Sequence, residues 1–93
     1  MERIDRQQLD RLVSRINKTL NRPEEPSTKD ETGRYRANIG NFHISGAYGG
    51  VSLEEICTDS GGVNDVFHCG HISKRELYVR LVAFLDGIET GRK

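Results

Sequence analysis

Between residues 34 and 69 the chain offers short apolar segments separated by glycine-rich turns, and no connection there is long enough for a crossover helix. Parallel strands need such a crossover, so whatever sheet forms here is antiparallel. The region opens on "RYRANIGNFHIS", where Tyr35, Ala37 and Ile39 alternate with Arg34, Arg36 and Asn38. That is the period-2 signature of a half-buried strand. Beyond Gly40-Asn41 the apolar residues Phe42 and Ile44 fall on even numbers. A slip of one residue turns every side chain to the opposite face unless something absorbs it. Gly40 is the place for a β-bulge, the preferred reading, or for a tight hairpin turn. "VSLEEICTD" supplies a second strand, "SGG" at 60–62 a second turn, and "VNDVFHC" at 63–69 a third strand.

Helical patterns flank this region. Over residues 5–20, Leu9, Leu12, Val13, Ile16 and Leu20 recur at the spacing of one helix face. Asn21 is suited to stop that helix, and Pro23 cannot continue it. Ser73-Lys74-Arg75-Glu76 matches a capping box, and Leu77, Leu81, Phe84, Leu85 and Ile88 follow as an apolar stripe, with Gly87 and Gly91 as the exit. Residues 21–33 hold both prolines and no large apolar side chain, and read as an exposed polar linker. The expected fold is a single α+β domain over residues 1–93. It has a helix at 5–20, the linker at 21–33, an antiparallel β-meander of about three strands within 34–69, and a helix at 73–88. Both helices are expected on one sheet face.

With 93 residues the chain buries roughly 60–65% of its unfolded surface, a modest core that an oligomer would help. Lys plus Arg equals Asp plus Glu at 14 each, so the net charge is zero. Bulk nucleic-acid binding calls for a basic excess, and only a small local basic pocket stays open. No apolar run approaches the ~18 residues of a membrane span, and "MERIDRQQ" has no signal-peptide core behind it. A cytoplasmic protein is expected, with Cys57 and Cys69 as reduced thiols. Cys57, His43, His68, Cys69 and His71 invite a zinc reading, but adjacent His68 and Cys69 would point to opposite strand faces. No metal and no cofactor are expected. No nucleophile elbow or metalloprotease signature is present, so no catalytic residue is expected either.

The glycines carry more weight. Six of the ten lie between residues 40 and 62, with doublets at Gly49-Gly50 and Gly61-Gly62. Glycine permits positive φ and the close approach of another backbone or a ligand. Two hairpin turns account for Gly61-Gly62, but "GAYGG" contains a tyrosine that a hairpin has no use for. Tyr48 offers a flat face on which a nucleobase can stack. Arg34 and Arg36 share one strand face, while Lys74, Arg75 and Arg80 lie on the last helix. Free N–H groups and the dipole of that helix's first turn favour an anion, and guanidinium pairs with phosphate. Together with the polar loop Asn64-Asp65, these residues outline a site for a phosphorylated nucleotide.

The string "RYRANIGNFHISGAYGGVSLEEI…SGGV…SKRELYVRLVAFLDGI" resembles a group of short phage-encoded proteins. Their recurring pattern is N-x-G-x-[FY] leading into YGG, then GG, then a helix opening on R-E-[LM]-Y. The resemblance covers about residues 34–88, with Tyr48-Gly49-Gly50, Gly61-Gly62 and Arg75-Glu76-Leu77-Tyr78 as anchors. Such proteins look like the sponges of the anti-Thoeris and anti-CBASS kinds, which bind a cyclic ADP-ribose isomer or cyclic oligonucleotide without cleaving it. They act as dimers or hexamers in the infected bacterial cell. The resemblance implies base stacking at Tyr48 over Gly49 and Gly50, contacts from Gly62, Asn64 and Asp65, and phosphate pairing at Arg75, with Arg34 or Arg80. Two other readings stand beside it: an inhibitor that docks on a host defence effector, and a hydrolase of the same nucleotides.

Overall fold

The computed structural model describes residues 4–91. Helix α1, Arg6–Thr19, starts at a full capping box: Asp5 Oδ1 accepts the Gln8 N–H at 2.9 Å and Gln8 Oε1 accepts the Asp5 N–H at 2.9 Å. Its end is closed by Asn21, which takes φ 56°. The Asn21 N–H reaches Lys18 O at 3.2 Å and the Arg22 N–H reaches Asn17 O at 2.7 Å, the two bonds of a Schellman motif. Pro23 follows and prevents a further turn.

The core sheet is the expected antiparallel meander. Strand β3, Phe42–Ala47, pairs with β4, Gly50–Ile56, in register Ile44↔Leu53, and β4 pairs with β5, Val63–Asp65. Helix α2 spans Lys74–Gly91, so it runs through Gly87 instead of ending there. Leu9, Val13 and Ile16 of α1 and Leu77, Leu81 and Leu85 of α2 share one buried cluster with Phe42, Ile44, Val51 and Leu53. Both helices therefore lie on the same face of the sheet. The opposite face carries His43, with Nε2 at 3.3 Å from Glu54, and Ser45 across from Ser52, with Ile56 as its buried apolar residue. β5 stops at Asp65, short of the expected 63–69. The chain then turns and sets the Phe67 ring edge-on to Phe84 of α2 at 5.7 Å.

A buried asparagine ties α1 to the sheet edge. Asn17 Nδ2 donates to Phe42 O at 3.0 Å, and its Oδ1 accepts the Phe42 N–H at 3.0 Å. The side chain pairs with β3 as a neighbouring strand would, and so satisfies backbone groups that α1 covers.

Two expectations fail. Residues 21–33 contain strand β1, Ser27–Lys29, which pairs with β2, Tyr35–Ala37, as a separate ribbon. Asp30 organises its loop: the carboxylate accepts from Thr32 N, Thr32 Oγ1 and Arg34 N at 2.9, 2.7 and 3.0 Å. Those bonds, with the Thr32 hydroxyl foremost and the Arg34 amide next, hold the Asp30 carboxyl below its ordinary pKa. Gly33 at φ 87° supplies the left-handed residue of the five-residue loop 30–34. Gly40 is neither a bulge nor a hairpin turn. At φ 93° it sits where the Asn41 N–H closes on Asn38 O at 3.1 Å, and the chain passes there from one sheet to the other. The slip in alternation is real. Its cause is that β2 and β3 belong to different sheets, and Tyr35 and Ile39 are 70% and 58% exposed.

Candidate functional site

The β3–β4 ladder closes at Ala47↔Gly50 and leaves Tyr48-Gly49 as a two-residue loop. Their φ values, 52° and 75°, are those of a type I′ turn, which needs positive φ at both positions. Gly50 has a different task. A Cβ there would lie 3.0 Å from the carbonyl carbon of His71 and 3.0 Å from Ile72 O. Its absence lets the segment just before α2 close on β4, where Val51 and Ile72 exchange two backbone hydrogen bonds of 2.8 Å as an isolated bridge. That bridge fixes the backbone two residues before α2 begins.

The α2 start thus stands beside the hairpin tip. Ser73 Oγ accepts the Glu76 N–H at 3.1 Å, and Lys74 and Arg75 occupy the first turn. α1 begins at the same place, where Arg6 Nη2 donates to Ile44 O at 2.9 Å and Nε pairs with Asp10 at 3.2 Å. Between these elements lies an open cleft of about 760 Å³. It is lined by Gly46, Ala47, Gly49, Gly50 and Val51 from the hairpin, Ile4 and Arg6 from the α1 end, and Ser73, Lys74 and Arg75 from the α2 end. Among the described residues three cations and no carboxylate line it. Arg6 shares its charge with Asp10, so the positive end of the cleft lies at Lys74 and Arg75, beside backbone N–H groups at the start of α2.

The structure brings together Gly49, Gly50 and Arg75 of the expected site, with Tyr48 beside them at the tip. The Tyr48 ring is 99% exposed and edge-on to His71, centroids 6.0 Å apart. The other expected residues lie elsewhere. Arg80 sits in a separate hollow on α2 with Glu76 and Val79. Arg34 belongs to the ribbon, in a hollow with Asp30 and Arg36. Gly62 is in the β4–β5 loop, where its N–H donates to Thr58 Oγ1 at 2.8 Å and a Cβ would meet that oxygen. Asn64 and Asp65 pair with Glu55 and Glu54, which lie along β4 about 13–17 Å from Gly50 at the usual strand rise. Asp65 works on its own loop: Oδ2 accepts the Gly70 N–H at 2.8 Å, while Oδ1, like His71 Nε2, is buried with no hydrogen-bond partner among the described residues.

Sequence reasoning passed over Arg6. Nothing local marks it, because only the tertiary fold sets the first turn of α1 beside that of α2. Cys57 and Cys69 are free, and among the described residues no three His, Cys, Asp or Glu side chains are grouped to hold a metal ion. No helix of the described residues is long and apolar enough to cross a membrane. No family model, curated protein or solved structure matches the chain.

Proposed function

We propose that this protein binds and sequesters a cyclic nucleotide signal, a cyclic ADP-ribose isomer or a cyclic oligonucleotide, and releases it uncleaved. The observation that carries the reading is the cleft, where a glycine hairpin tip meets the Lys74-Arg75 start of α2, with Tyr48 on the adjoining turn outside the cleft lining. Its volume suits a ligand of nucleotide size. Lys74 and Arg75 would take phosphate oxygens with the first-turn N–H groups of α2, the glycines would let the ligand approach the backbone, and Tyr48 would stack on a base. The setting proposed is the phage-infected bacterial cytoplasm, where such capture blunts an immune signal, as the resemblance of the YGG and R-E-L-Y segments implies. A homo-oligomer, dimer or hexamer, would supply the wall the open cleft lacks.

Thermal unfolding with a panel of cyclic nucleotides tests this. A ligand at a hundred times its Kd adds about 2.7 kcal/mol, which raises Tm by about 10 °C or more. Tyr48→Ala and Lys74→Ala should leave the unliganded Tm nearly unchanged and lose that rise. Absence of a shift with any ligand at high micromolar concentration overturns the reading. Recovery of a cleaved nucleotide after heat release would replace it with the hydrolase reading.

The second reading, an inhibitor docked on a host defence effector, draws on exposed apolar side chains at the hairpin tip and ribbon, Tyr48, Tyr35 and Ile39. It predicts a stoichiometric protein partner and no bound small molecule.

A further inference from the structure

α1 and α2 differ on their outer faces. The fully exposed positions of α1 are charged or polar, whereas α2 leaves Val79 and Val82 exposed at 61% and 42%. A surface helix ordinarily keeps its outer face polar, and Val79 with Val82 makes a small apolar patch on this one. Arg75, Val79, Val82 and Asp86 are all exposed and follow one another at spacings of four, three and four, the narrow seam along which two helices pack.

We infer that this stripe is a twofold interface with a second copy of the chain, α2 running antiparallel to α2. The order of residues selects that occupant. A twofold axis passing between residues 80 and 81 sets Val79 of one protomer opposite Val82 of its partner, and Arg75 opposite Asp86, each contact occurring twice. The stripe is thus its own complement, apolar in the middle and of opposite charge at its two ends. The hollows on either side agree. The one at Val79 is bordered by Arg75, Glu76 and Arg80 and is net positive; the one at Val82 includes Arg15, Asp86 and Glu89 and is net negative. The same axis lays the first hollow on the second. Ala83, exposed next to the seam, is small enough for the helix axes to approach to about 8–10 Å. Arg75 borders both the seam and the cleft.

The inference stands without the nucleotide reading, and ligand-free protein tests it. Sedimentation equilibrium from about 1 to about 500 µM should show monomer passing to dimer, the weak to moderate affinity of a single helix pair. Val79→Asp should give monomer throughout, with the circular dichroism of the parent because the position is exposed. Asp86→Arg should weaken the dimer at least tenfold through repulsion by the partner's Arg75. Adding Arg75→Asp to it should restore the dimer by exchanging the two charges. A monomer at every concentration, or an oligomer that Val79→Asp leaves intact, overturns the proposal. A dimer that the charge exchange fails to rescue overturns the antiparallel register.

Discussion

The chain makes two antiparallel sheets, and they are held in different ways. β3 and β4 are backed by both helices, and Leu53 is fully buried between them. Among the described residues neither helix packs on the β1–β2 ribbon as both do on β3 and β4. It is held by its own backbone pairs, the Asp30 loop, the Lys29 ammonium 6.0 Å from the Tyr35 ring, and a bond from the Ala37 N–H to Asp59 O at 3.2 Å. β2 and β3 both read as alternating sequence. Alternation says that a strand can have a wet face and a dry one. Whether the dry face is used depends on what the rest of the chain lays over it.

The sharpest way to break this contrast is to truncate one apolar side chain in each sheet. Leu53→Ala should cost about 2–5 kcal/mol, since it leaves a cavity in a packed core, whereas Tyr35→Ala should change stability by no more than about 0.5 kcal/mol. Equal losses in urea unfolding would mean the ribbon is part of the cooperative core. Asn17→Ala should cost about 1–3 kcal/mol, because it strips the Phe42 N–H and carbonyl of their partner inside the helix–sheet contact. Gly50→Ala should cost about 1 kcal/mol, the low end of an overpacking change. Its mark is local: the Val51 and Ile72 amides, which form the bridge, should exchange with deuterium faster than their neighbours.

The smallest effect distinguishes the sheets by pH. Asp30 has its folded pKa depressed below 3.8, so its contribution is complete above that pH and is lost as pH falls through the folded value. The Thr32 and Arg34 amides should therefore lose protection in acid before those of β3 and β4 do. Simultaneous loss would show that the ribbon does not open separately.

What was legible in the sequence was what local chemistry writes there. The helices could be read from Asn21 and Ser73 at their ends and from single-face stripes, and the meander followed from connections too short to cross over. β1 was hidden because Ser27, Thr28 and Lys29 carry no apolar alternation, and their strand exists only through pairing with β2. The Gly40 slip was visible, but one strand with a bulge and two strands in two sheets leave the same trace. Part of the cleft could be read as glycines and a helix start. Arg6 could not, since its place depends on how α1 lies against α2. Asn64 and Asp65 follow a glycine turn in the sequence, yet β4 separates them from the tip by most of its length.

Tyr48 makes residue 48 a position with two masters. For an L-residue the left-handed region costs roughly 1–2 kcal/mol, a cost glycine escapes and asparagine lessens. A selection for thermal stability alone would replace the tyrosine, whose ring touches little and takes no part in the core. A selection for ligand capture would keep it. The two pressures are separable at a single codon, and the direction in which variants drift there would report which of them acts on the chain.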